Sequence, residues 1–295
     1  MKTETLAVDS TAEKGRRFGI DFKDYGVLIG LIVLVLFLSF STDTFLTQGN
    51  LVNLFDQAVV IGLIAIGATL CIISGVFDLS ASANLAISAI AGVYLTQTFG
   101  VGLGFVMALG VGAVLGAITG TLIVATRVHS FIGSLAMSII YRGIAIVLTA
   151  GAIVSPLGNQ MEAFRIWMHP VFGGVSAATL LLVAGLVIFG ILLWGTTYGR
   201  RIYAVGGNTE AARLSGVRTE LIHISVFAIS GLCSAAAGMV LASRAGSAQP
   251  AMATGIELTA IAAVVIGGTS IIGGTGAVWR TAVGVLILTV IGNGF

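Results

Sequence analysis

Apolar runs about as long as a bilayer span recur from residue 25 to the end of this chain. One of them, "CIISGVFDLSAS" at Cys71–Ser82, carries a carboxylate in its middle. A run of roughly 20 apolar residues can span hydrocarbon only as a helix, because its backbone N–H and C=O groups must then satisfy one another. Only 9% of the 295 residues are charged, against roughly 25% in soluble domains, and the mean hydropathy is +1.09. The chain therefore reads as all-α: a polytopic transmembrane helical bundle in a lipid bilayer, including broken or re-entrant helices. Its 41 glycines suit such a bundle, since small residues let membrane helices approach closely.

The runs place helices at about 25–41, 57–74, 81–98, 102–125, 131–150, 174–194, 221–242, 257–272 and 278–295, about nine spans in all. Residues 1–24 read as a polar cytoplasmic tail with no removable signal visible, and 25–295 as one transmembrane domain. The basic residues set the orientation. Lys14, Arg16, Arg17 and Lys23 keep the N-terminus inside. Segment 151–173 then falls outside, and loop 195–220, with Arg200, Arg201, Arg213 and Arg218, falls inside.

Two apolar regions are interrupted. The first holds Ser74, Gly75, Asp78 and Ser80. The second, "VIGGTSIIGGTGAVWR" at Val265–Arg280, holds Gly267, Gly268, Gly273 and Gly274. Setting Ser74-Gly75 against Gly267-Gly268 puts Ser80-Ala81 opposite Gly273-Gly274, with apolar helix following each. Glycine-interrupted segments at matching places in two halves point, by analogy with secondary transporters, to a substrate path. Non-helical backbone at membrane depth is tolerated only under protein or beside a water-filled cavity, so both breaks belong in the interior.

A carboxylate at a helix centre costs roughly 2.5–3.5 kcal/mol on the insertion scale, so Asp78 needs a local reason. Three remain open. It caps the helix starting near Ala81 with Ser80 sharing the task, or lines a pathway, or pairs with Arg142 or Arg280; the cap is preferred. Glu257 reads as a first-turn residue, and Asn53, Asp56 and Gln57 as caps ahead of the second helix or, alternatively, as residues of the substrate passage. Cys71 and Cys233 fall in apolar segments and read as packing residues. The histidines at 129, 169 and 223 form no ligand-spaced cluster, so no metal site is expected.

The loop reads "GTTYGRRIYAVGGNTEAARLSGVRTELIH", Gly195–His223. Gly206-Gly207 breaks the chain, Asn208 or Thr209 can N-cap a short helix, and Glu210 lies in its favourable first turn. Gly216 can end it in a left-handed conformation. Such a helix is too small to be a domain and the right size to dock into a groove on another protein. The small Ala211 and Ala212 let a partner close over it.

"EAARLSG", Glu210–Gly216, matches the E-A-A-x-x-x-G loop of ABC-importer permeases, and "TTYGRRIYAVGGNTEAARLSGV" resembles their ribose, xylose and arabinose branch. "ISGVFDLSAS", "SFIGSLAMSIIYRG" (Ser130–Gly143) and "AAVVIGGTSIIGGTG" (Ala262–Gly276) extend the resemblance from about residue 25 to the C-terminus. Departures are Ala81 or Ala83 where that family often has Gly, His129 where Pro is common, and Arg280 where Gly is common. The chain stops at "IGNGF", where such permeases usually continue through about one more span, so it reads as short or truncated; a full-length chain would then have ten.

The resemblance implies the permease subunit of a bacterial inner-membrane sugar importer, without enzymatic or catalytic residues. A second permease, identical or paralogous, would complete the pathway, and a periplasmic sugar-binding protein would deliver substrate. A separate ATPase would engage loop 195–220 through Gly207, Asn208, Glu210, Ala211, Ala212, Arg213 and Gly216. No cofactor is implied on this chain: glycine is never followed by lysine, so ATP and magnesium belong to the partner. No nucleic-acid partner is implied. The alternatives are a branched-chain amino acid permease, against which "GRRIYAVGGN" argues, and a secondary transporter needing no ATPase.

Overall fold

The computed structural model describes residues 22–172 and 174–294. The predicted tail lies outside them except for 22–24, which open α1 (Phe22–Ser41). Then come α2 (Gln48–Ile73), α3 (Ala81–Phe99), α4 (Val101–Thr126) and α5 (Ser130–Thr149). A connection holding α6 (Met161–Phe164) and an antiparallel hairpin, β1 (Pro170–Phe172) with β2 (Val175–Ser176), leads to α7 (Ala177–Gly195). The chain continues through α8 (Thr197–Gly207), α9 (Thr209–Leu214), α10 (Thr219–Ala245), α11 (Ile256–Ile266) and α12 (Val278–Gly294). Among the described residues, five helices are long and apolar enough to cross a bilayer: α2, α4, α5, α7 and α10.

Two predicted boundaries move. Helix α2 starts at Gln48 with Thr47 at its N-cap, so Asn53, Asp56 and Gln57 lie within it. Asp56 is buried and accepts a 2.6 Å bond from Ser176 Oγ. Apolar density locates the buried part of a helix, and the polar first turns of α2 concealed its start. The predicted span 257–272 stops at Ile266, where Gly267 and Gly268 turn the chain. Its 11 residues reach about 16 Å, short of a hydrocarbon core about 30 Å thick. Glu257 does stand in the first turn of α11, and His129 N-caps α5, its ring accepting from Phe131 N.

The first break sits at the centre of the packing. Gly62–Ile73 before it and Ala81–Ile90 after it are buried without interruption, as expected of helices apolar on every side. Cys71 and Cys233 are both buried as free thiols. Helix α10 crosses α2, α3 and α4, and glycine sets its distance from α4. Gly112, Gly116 and Gly120 make one stripe at every fourth residue. A Cβ on Gly112 would strike the Gly231 carbonyl, one on Gly116 the Phe227 carbonyl, and one on Gly120 would lie 2.9 Å from Ile224 Cα. Backbone cannot swing aside as a side chain can. Gly116→Leu is therefore expected to insert normally yet to melt in detergent well below the parent, overpacking costing about 1–3 kcal/mol or more. Gly110→Ala, whose Cβ would meet nothing within 4 Å, is the control. A Gly116→Leu chain melting with the parent would rule out close α4–α10 packing.

Candidate functional site

The segment between α7 and α10 holds two helices, of which the sequence reading recognised the second. Thr196 N-caps α8, accepting from Gly199 N at 3.0 Å. The helix is amphipathic: Gly199, Ile202 and Val205 are buried, while Arg200 and Arg201 are exposed. Two tyrosines fasten it. Tyr198 Oη shares a 2.6 Å hydrogen bond with Ser225 Oγ, and Tyr203 Oη donates to the Gly276 carbonyl at 2.8 Å.

Asn208 is extended and N-caps α9, its Oδ1 accepting from Ala211 N at 2.9 Å. Glu210 stands in the first turn and takes a 2.7 Å ion pair from Arg213, both side chains exposed. At the other end Gly216 has φ +83°. Gly216 N bonds Arg213 O and Val217 N bonds Ala212 O, the paired closure of a glycine-terminated helix. One expectation fails here. Ala211 faces outward, but Ala212 is buried within the chain, because adjacent helix positions point to different sides. Only one of the two alanines is open to a partner.

The end of α8 meets both helix breaks, and glycine makes the meeting possible. Gly274 N donates to the Ile73 carbonyl at 2.9 Å, so the second break closes the last turn of α2. A Cβ on Gly206 would strike that carbonyl oxygen and lie 2.8 Å from Gly274 N. A Cβ on Gly273 would lie 2.9 Å from Gly206 O and 3.1 Å from Gly75 Cα, and one on Gly274 would lie 2.7 Å from Gly207 Cα. Three backbones thus touch without side chains between them. His223 Nε2, from α10, lies 3.3 Å from Ser74 O and tightens the same corner.

The two breaks begin alike, residue for residue. Ser74 and Gly267 are the C-caps, and Gly75 and Gly268 follow with φ of +86° and +85°. Ser74 N, Gly75 N and Val76 N bond Leu70 O, Ile72 O and Cys71 O; Gly267 N, Gly268 N and Thr269 N bond Ala263 O, Val265 O and Val264 O in the same order. They then diverge. Helix α3 resumes at Ala81 but α12 only at Val278, so Gly273-Gly274 lies mid-break rather than opposite a helix start. The longer second break is what lets it reach α2 and α8.

The first break is held by hydroxyls. Ser130 Oγ accepts from Phe77 N and Ser134 Oγ from Leu79 N, each at 3.0 Å, so α5 satisfies the extended backbone. Asp78 is 4% exposed. Its Oδ1 accepts from Ser80 N at 2.9 Å and Ser80 Oγ at 2.6 Å, and its Oδ2 accepts from Ser230 Oγ on α10 at 2.7 Å. This differs from the expected cap. Ser80 occupies the N-cap position in helical geometry and makes no side-chain cap bond. Asp78 closes a local turn on Ser80 and ties it to α10, rather than taking the free amides of α3. Arg142 is engaged elsewhere, donating to the carbonyls of Pro250 and Met252 and to Ser82 Oγ at 3.1 Å.

Of the residues singled out from sequence, Gly75, Gly273, Gly274 and Gly207 come together, with Ser74 alongside. Asp78 and Ser80 form a second group one short extended stretch away. Gly267 packs instead between α11 and α12, its Cβ position lying 2.5 Å from Arg280 O. The sequence reading took Gly206 only as a chain break and His223 only as a residue outside any metal cluster, and it missed Tyr203, Ser130, Ser134 and Ser230. The serine pair had a signal: Ser130 and Ser134 fall one helical turn apart in the first turns of a largely apolar helix.

A bundle of apolar helices with interior breaks fastened to a capped surface loop has the architecture of a membrane permease. The family described as branched-chain amino acid transport system / permease component matches residues 50–295, and the chain belongs to it. It is an integral membrane protein. It is 39% identical to the ribose import permease protein RbsC of Bacillus subtilis (strain 168) over 296 residues, covering 100% of this chain and 90% of that one. It is 37% identical to the Escherichia coli (strain K12) RbsC, covering 90% and 84%. The L-arabinose transport system permease protein AraH of the same strain is also 37% identical, with 94% and 84% covered. No solved structure matches the chain.

Proposed function

We propose that this chain is the membrane-spanning subunit of an ATP-driven importer that carries a pentose- or hexose-like sugar across a bacterial inner membrane. A separate ATPase pushes on α9 from the cytoplasm, where the N-terminus also lies. A second permease subunit completes the pathway, and a periplasmic binding protein delivers the sugar. The observation that carries this reading is the glycine junction. Movement of α8 and α9 has no compliant side chain in which to dissipate before it reaches Ile73 and Gly274.

Relatives named for ribose and arabinose import, at 37–39% identity over 90% or more of this chain, support sugar as the cargo. The family description favours a second reading, branched-chain amino acids. Reconstitution into proteoliposomes with a cognate ATPase subunit and a periplasmic sugar-binding protein separates the two. Uptake of labelled ribose or arabinose that requires ATP is the expected result. Leucine uptake without sugar uptake would overturn the cargo assignment, and sugar uptake without the ATPase would overturn the mechanism.

A further inference from the structure

Between α8 and the start of α10 the surface opens into a recess of 370 Å³ lined by Arg201, Gly216, Val217, Arg218, Leu221 and Ile222. Its composition is uneven. Val217, Leu221 and Ile222 make an apolar wall, and the two arginines supply polar donors. The left-handed turn at Gly216 brings Val217 and Arg218 back toward α8, where Arg201 waits.

In this loop Arg213 is paired with Glu210, on α9 itself. Among the described residues neither Arg201 nor Arg218 has a carboxylate within bonding distance, and both are exposed. Beside them Leu214 stands 79% exposed on α9, among Glu210, Arg213 and Ser215, and Leu221 is 52% exposed. Large apolar side chains this bare on a charged, water-facing loop are what a partner's pocket covers.

We propose that this recess receives a carboxylate side chain of the ATPase subunit, with Leu214 anchoring in an apolar pocket of the same subunit. This rests on the coupling reading above and adds the partner's chemistry to it. A guanidinium binds a carboxylate through two parallel N–H donors, and two guanidiniums beside an apolar wall fit a Glu, whose methylenes lie against Val217 and Leu221. Anionic lipid is the poorer occupant. Anionic membrane surfaces are read by clusters of Lys and Arg, whereas the exposed run from α9 to the start of α10 carries both signs, Glu210 and Glu220 flanking Arg213 and Arg218 in sequence. Mixed charge around an apolar anchor is the pattern of a protein contact.

The test uses the full chain in nanodiscs of neutral lipid and, in parallel, of anionic lipid, with binding of the purified ATPase subunit measured in each. The double charge reversal Arg201→Glu/Arg218→Glu is expected to weaken binding at least about tenfold in both lipids. Reversing the responsible acid on the ATPase to Lys should restore it. The double neutral variant Arg201→Gln/Arg218→Gln, which keeps side-chain length, should show an intermediate loss, and parent binding should weaken with salt. Unchanged affinity in the charge-reversed variant would overturn the proposal. So would a loss confined to anionic discs, because the recess would then read the membrane. Gly216→Val, which strains the α9 exit at φ +83°, keeps the two readings apart. If it uncouples uptake while both arginine variants bind normally, α9 couples and the recess does not hold the acid. If it leaves uptake normal, the coupling reading itself falls.

Discussion

Gly206→Ala is expected to cut ATP-driven uptake at least about tenfold while the chain remains in the membrane and bound to its ATPase. The added Cβ would overlap the Ile73 carbonyl oxygen and crowd Gly274 N, so α8 must retreat or the 2.9 Å bond between those two groups must open. Overpacking of this kind costs about 1–3 kcal/mol, and each 1.4 kcal/mol or so is a factor of ten. The obstacle is backbone on both sides, so no rotamer change relieves it. Gly190→Ala serves as the control, since its Cβ would meet nothing within 4 Å. Uptake in proteoliposomes, alongside ATP hydrolysis and a melting curve, decides the matter. Normal uptake by a folded Gly206→Ala chain would take the junction out of the coupling path.

Asp78 is expected to split sharply by substituent. Asp78→Asn keeps an oxygen for Ser80 N and Ser80 Oγ, and its amide can donate to Ser230 Oγ in place of the bond that hydroxyl now makes. Uptake should stay within about twofold of the parent, since hydrogen-bond number and shape are preserved. Asp78→Ala strands the Ser80 amide and two hydroxyls in a buried site, at about 1–3 kcal/mol for each unsatisfied group. It should lower the melting temperature and the amount of assembled protein. An assembled Asp78→Asn chain that no longer transports would show that the negative charge itself is used, and the structural role would be wrong.

The helix breaks were legible because they are written locally. Gly-Gly or Ser-Gly inside an apolar run permits the left-handed turn at Gly75 and Gly268, and nothing distant is needed to place it. The same holds for α9, whose cap and exit both lie within Asn208–Gly216. Helix α8 was not legible because Gly199, Gly206 and Gly207 within its 11 residues are poor helix formers that favour turns, although Gly199, Ile202 and Val205 carry a helical period. The partners of Asp78 were misassigned for another reason. Its neighbour Ser80 was within reach of sequence reasoning, but Ser230 lies on a helix far along the chain.

The sequence by itself determined the class of protein, the location of the two interior breaks, and the short capped helix in the loop. Each follows from local backbone preference or from the exclusion of water, and both act residue by residue. Only the tertiary structure decided that Gly274 closes the end of α2, that Gly206 lies against it, and that Ser230 completes the bonding of Asp78. In a soluble helix an apolar stripe would announce the packed face. These helices are apolar all round, and lipid tails suit leucine as well as a neighbouring helix does, so periodicity carries little record of which faces meet.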